Sequence, residues 1–162
     1  MDHVDFIKAQ WHAERPDLDV DPMGLLGRLN RLSAHARREM GKTWARHGLN
    51  AASFDVLATL RRAGAPYSLS PGDLIAATMV TSGTMTNRID QLVAAGLVAR
   101  TENPDDRRSV LISLTERGFE TIEAAVADHV ETQKLLVAEL PRDDFEALDA
   151  LLRGWLEQVE GG

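Results

Sequence analysis

A mainly α fold with a small β component (α+β) is what the sequence predicts, and three observations carry it. Apolar residues recur at helical three- and four-residue spacing along most of the 162 residues. One stretch breaks that period: in RRSVLISLT, Val110, Ile112 and Leu114 alternate with polar or smaller neighbours, the signature of a strand. Capping residues and glycines stand where the periodic runs begin and stop.

Residues 3–14 read as a short helix, broken by Pro16 in the polar link RPDLDVDP. Asp21 followed by Pro22 predicts the next start, with Asp21 as N-cap acceptor and proline at the first helical position. The helix that follows carries Leu25, Leu26, Leu29, Leu32, Ala36 and Met40 on one side. Arg28, Arg31, Arg38 and Lys42 fall mostly on other faces, and the run ends near Gly48. Asn50 then caps AASFDVLATLRRAG, which turns Phe54, Leu57 and Leu60 inward and stops at Gly64.

SLSPGDLIAATMV predicts a short strand-like entry and a small helix near residues 71–77. TSGTMTNRIDQLVAAGLVAR predicts a second helix from about 81 to 95, with Ile89, Leu92 and Val93 as its core stripe. Gly96 follows as the left-handed residue beyond its end. Two short helices joined by a tight turn form a helix-turn-helix. LVART and RRSVLISLT then flank ENPDD as two antiparallel strands, a hairpin wing directly after the second helix. Thr115 caps a long helix to about residue 138. Pro141 opens another, with Phe145, Leu148, Leu152, Trp155 and Val159 down one side.

The fold expected is therefore a winged helix-turn-helix with long N- and C-terminal dimerisation helices. Residues 1–48 supply N-terminal helices for dimerisation and a ligand crevice, 49–114 the winged lobe, and 115–162 the C-terminal dimerisation helices, in one structural domain overall. The outer helices carry more apolar stripe than a winged unit of roughly 60 residues can cover, so a second copy is expected to pack on them. Such a homodimer reads a two-fold, pseudo-palindromic site on double-stranded DNA.

Composition narrows the alternatives. There is no cysteine, which excludes disulfides and thiolate chemistry. No signal peptide and no membrane-length apolar run are visible, so a cytoplasmic location is expected. The net charge of −7 is unevenly placed. Residues 28–62 hold eight Lys/Arg against two Asp/Glu, whereas residues 115–162 hold four against twelve. A basic middle on an acidic body is compatible with one DNA-facing surface, although solvated helix faces also produce such runs.

The residues expected at DNA cluster in two places. Thr81, Ser82, Thr84, Met85, Asn87 and Arg88 are read as the exposed positions of the second helix. Short hydroxyls at a helix N-terminus bond phosphates, while Asn and Arg reach base edges in the major groove. Arg107 and Arg108 sit at the wing tip, where one can enter the minor groove and Asp105 or Asp106 can hold the other.

LNAASFDVLATL and the run TSGTMTNRIDQLVAAGLVARTENPDDRRSVLISLTERG together resemble the multiple antibiotic resistance regulator (MarR) family. The recognition-helix pattern, the glycine-leucine-valine exit, the DDRRS wing and the LTERG helix start carry the resemblance. It covers nearly the whole chain and implies a triangular α-helical dimer that represses a nearby gene.

Asp55 and Arg62 lie seven residues apart, within about 20° of two full turns, so they share a helix face roughly 10 Å apart along the axis. Alone this describes an ordinary solvated face. Together with WHAERPDLD and the arginine of the recognition helix, it is similar to the urate-responsive subgroup of that family. The resemblance implies Trp11, Asp55, Arg62 and Arg88 as ligand residues for a planar anion such as urate or a related purine. Indole offers a stacking or edge contact, and guanidinium a planar fork. Trp44 and Trp155 are read as core or interface residues.

Rival readings are an enzyme, a metal protein, a winged-helix protein-interaction module, and a regulator answering to a phenolic or aromatic carboxylate. No HExxH, glycine-rich phosphate loop or GxSxG is present. Asp143 and Asp144 suit the first turn of a helix electrostatically. His3, His12, His35, His47 and His129 show no ligand spacing, so neither a metal nor another cofactor is expected beyond a small-molecule effector.

Overall fold

A computed structural model describes residues 1–78, 82–103 and 109–161, with the side chains of 82–84 outside the description. The chain divides into two compact units, 1–41 and 42–162. The predicted winged lobe and C-terminal helices both fall in the second.

The first unit holds α1 (His3–Glu14) and most of α2 (Asp21–Arg46). Asp2 caps α1 by accepting from the Val4 and Asp5 amides, and the Asp5 carboxylate accepts from the Asp2 amide, a reciprocal capping box. Arg28 of α2 grips both acids, with Nε 2.8 Å from Asp2 Oδ2 and Nη2 on Asp5. That guanidinium is the main reason the Asp2 carboxyl is held down to about 2. Lys8 donates to Asp21 at 2.5 Å. The expectation for Asp21 needs correcting: it is the first residue of α2 rather than its cap. Its amide donates to Asp19 Oδ1 at 3.0 Å, which frees its own carboxylate for Lys8.

The second unit takes in the last turn of α2 and then α3 (Ala51–Arg62), β1 (Ser68–Leu69), α4 (Pro71–Ala77) and α5 (Ser82–Ala94). It continues through β2 (Val98–Glu102), β3 (Val110–Leu114), α6 (Glu116–Leu136) and α7 (Arg142–Glu160). The sheet is antiparallel in the order β1-β3-β2, with Val98 opposite Leu114 and Leu69 opposite Ile112. The mainly α fold with a small sheet is thus the one predicted. Asn50 caps α3 through the Ser53 amide, and Gly48, Gly64 and Gly96 all adopt positive φ at the predicted stops.

The core gathers residues from five of these elements: Val56, Leu57 and Leu60 of α3, Leu74 of α4, Ile89 and Leu92 of α5, Ile112 of β3, and Ile122 of α6. Burying each is worth about 1.5–3 kcal/mol relative to exposure. Two further attachments fasten α6 to the lobe. The Arg61 guanidinium lies over the Tyr67 and Phe119 rings, 5.1 and 5.0 Å from their centroids, and Nε donates to Glu123 at 2.5 Å. His129 of α6 packs against Phe54 and Trp44, at centroid distances of 4.7 and 5.6 Å, and burial pushes its imidazole below the usual range.

The backbone comes closest where α6 begins. Thr115 donates its hydroxyl to the Gly96 carbonyl at 2.8 Å and its amide to the Leu97 carbonyl at 3.2 Å. Gly118 then passes so near that a Cβ there would stand 1.9 Å from the Leu97 oxygen. α7, in contrast, buries none of its residues, and Leu148, Leu151, Leu152, Trp155, Leu156 and Val159 are all exposed.

Two consequences are measurable. Gly118→Ala must displace the Leu97 peptide, so urea unfolding should show a drop in stability of about 1–3 kcal/mol, whereas the control Gly154→Ala, whose added Cβ meets nothing, should be unchanged or gain up to about 1 kcal/mol. The unfolded chain binds the His129 proton more readily than the fold does. Stability is therefore fully present above the ordinary imidazole value of 6.5 and declines as pH falls below it. Denaturation midpoints at pH 7.5 and 5.5 should converge in His129→Phe relative to the parent.

Candidate nucleic-acid interface

α4 is short but well started, with Ser70 accepting from the Asp73 amide at 3.1 Å and Pro71 at the first position. At its far end Thr78 is buried and returns both its amide and its hydroxyl to the Leu74 carbonyl, at 3.0 and 2.7 Å. α5 follows as the second helix of the pair. Its inward side is Met85, Ile89 and Leu92, spaced four and three residues apart. Its outward side presents Thr86, Asn87, Asp90 and Gln91, with Arg88 partly covered.

This corrects one expected contact. Met85 is 1% exposed and belongs to the core. Its thioether continues the Ile89–Leu92 stripe and cannot reach a base edge. Asn87 and Arg88 remain on or beside the outer face. The backbone at Ser82 and Thr84 lies in the first turn of α5, while Thr81, Arg107 and Arg108 lie outside the described residues.

Three residues of this surface carried no individual role in the sequence reading. Gln91 donates its amide to Asn87 Oδ1 at 2.8 Å, a pair one helical turn apart. Asp90 accepts from Arg100 of β2 at 2.5 Å, tying α5 to the first wing strand. The Gln91 pair was open to an i,i+4 search. The Asp90–Arg100 pair was not, because no periodicity relates a helix to the strand after it. Beyond β2, Asn103 closes the hairpin base, its amide donating to the Ser109 carbonyl at 3.1 Å and its side chain to Ser109 Oγ at 2.9 Å.

The residues expected to hold a ligand are distributed differently. Trp11 lies in the first unit, on α1, and is exposed. Asp55 and Arg62 both sit on α3, Asp55 partly buried and Arg62 exposed. Arg88 borders a crevice of about 170 Å³ with Asn50, Ser53 and Gln91. Arg62 borders another, of about 480 Å³, with Thr59, Leu69, Asp73 and Ala77. The two arginines are thus in separate depressions, and the lining of neither includes Asp55. Arg62 is also engaged, donating from Nη2 to the Ala77 carbonyl at 2.7 Å. Among the described residues no group of three His, Asp or Glu is placed to hold a metal, and no helix is long and apolar enough to cross a membrane.

A helix pair whose second member buries an apolar stripe and turns amides and an arginine outward, with a hairpin strand bonded to it, defines a winged helix-turn-helix DNA-binding protein. Residues 47–109 match the MarR family model. The HTH-type transcriptional regulator PecS of Dickeya dadantii (strain 3937) is 43% identical over 149 residues, covering 92% of this chain and 90% of PecS. The chain belongs to the MarR family, whose members here are DNA-binding transcriptional regulators rather than enzymes. Among solved structures, a mutant Escherichia coli MarR complexed with operator DNA is 28% identical with a TM-score of 0.72, over 85% of this chain and 95% of that one. Bordetella bronchiseptica BpsR, whose DNA binding is regulated by 6-hydroxynicotinic acid, is likewise 28% identical with a TM-score of 0.72, over 86% and 96%.

If Asp90 fixes Arg100 and through it the wing strand, Asp90→Ala should weaken binding to a specific duplex about three- to tenfold, and Arg100→Ala should do no further harm in the Asp90→Ala background. Fluorescence anisotropy on the four proteins of that cycle measures the coupling.

Proposed function

We propose that the chain works as a homodimeric repressor on a pseudo-palindromic operator in duplex DNA and is released by a small planar anion, urate or a related purine. The outward face of α5 supports the reading: Asn87 is exposed and Arg88 partly covered, over a stripe committed to the core, and both side chains are of the kind that meet base edges and phosphates. Thr81, Ser82 and Thr84 serve the phosphates at the start of that helix, and Arg107 and Arg108 serve the wing. The exposed apolar side of α7, together with Leu25, Leu26 and Leu32 of α2, supports a second copy as the cover.

For the ligand, Arg88 supplies a fork for an anionic edge in the crevice it borders with Asn50, Ser53 and Gln91, while Trp11, Asp55 and Arg62 enter only through the resemblance to the urate-responsive subgroup. Ligand and DNA then compete for Arg88. A coupling of about 1–3 kcal/mol suffices for a useful response. The 6-hydroxynicotinic acid that regulates BpsR favours one second reading, a heteroaromatic or phenolic carboxylate in place of the purine.

The decisive measurement is a gel shift on the DNA upstream of the chain's own coding sequence, at stated salt, with urate, xanthine, hypoxanthine and salicylate added in turn. Urate should release the parent and spare Asp55→Asn. Release by salicylate alone selects the carboxylate reading, and failure to prefer any duplex at low salt overturns the DNA-binding reading itself. Asn87→Ala should cost about 1–3 kcal/mol of discrimination at a single base position.

A further inference from the structure

The Arg62 guanidinium donates to the Ala77 carbonyl, the last of α4. We infer that Arg62 is a positioning residue for the helix-turn-helix: it straps the end of α4 to α3 and thereby fixes how α4 packs against α5. This inference rests on the DNA-binding reading above.

The last carbonyls of a helix have no partner within it. In α4, a helix of seven residues, the buried Thr78 directs both its donors to Leu74, one turn back. Ala77, the final residue, receives instead the Arg62 guanidinium at 2.7 Å. A cation at a helix C-terminus is favourable to the dipole, and a charge-assisted bond is stronger than a neutral one. The anchor is firm, because Arg62 ends α3 directly after a turn in which Thr59 and Leu60 are buried. The held carbonyl is five residues before Ser82, where α5 begins. Because α4 packs directly on α5, a small rotation of α4 shifts α5 without Arg62 touching DNA.

Salt dependence separates this role from its rivals. Removing one phosphate-binding cation lowers the slope of log affinity against log salt by about one, whereas a misplaced helix weakens binding while the phosphates stay neutralised. Anisotropy titrations of the parent, Arg62→Ala and Arg62→Lys on the upstream duplex, at four salt concentrations, read both quantities. Thermal unfolding midpoints are taken alongside. Arg62→Ala should bind about tenfold more weakly at every salt with the parent's slope, and its midpoint should fall by only a few degrees. Arg62→Lys, which keeps a cationic donor for the carbonyl, should recover to within about threefold of the parent. Parental affinity in Arg62→Ala overturns the strap. So does a slope reduced by about one, which would make Arg62 a phosphate ligand. An Arg62→Lys as weak as Arg62→Ala overturns it too. A parent that prefers no duplex sinks the DNA-binding reading instead, so the two failures are distinguishable.

Discussion

The second unit depends on one close approach of backbone to backbone. Where α5 has ended and β2 is about to begin, the Leu97 carbonyl faces the first turn of α6, and Gly118 leaves the space for it. Thr115 bonds the Gly96 and Leu97 carbonyls on the same spot. No side chain could sit between these segments, so the exit of the recognition helix and the start of α6 share a fixed geometry. Arg61, against the packed pair of Tyr67 and Phe119 rings, repeats the attachment from α3.

Around that junction, the division of labour in α5 follows from period alone. Residues 85, 89 and 92 point in, so 86, 87, 90 and 91 point out. The outward set is polar and internally bonded, Gln91 to Asn87 and Asp90 to Arg100. Side chains already held by such bonds give up less freedom when they meet a partner, which favours selective recognition over merely cationic attraction.

Much of this was legible in the chain because it is local. Asn50 and Thr115 announce helix starts through side-chain acceptors for amides that the helix leaves unpaired, and Gly48, Gly64 and Gly96 announce stops that need positive φ. The hairpin declared itself by its change of period. Met85 was misjudged because five polar neighbours in TSGTMTN drew attention from its place four residues before Ile89. Asp21 looked like a cap because the Asp-Pro pair is a cap signal, but Asp19 takes its amide and Lys8 its carboxylate. The separation of Arg62 from Arg88 into different crevices had no local signal. It depends on how α3, α4 and α5 cross, and only the assembled lobe decides that.

α7 carries one consequence further. Nineteen residues of helix with no buried side chain gain little from their own chain, since most helical stability in proteins comes from packing an amphipathic face. With a second copy as the cover, the order of α7 becomes a function of how many molecules are present.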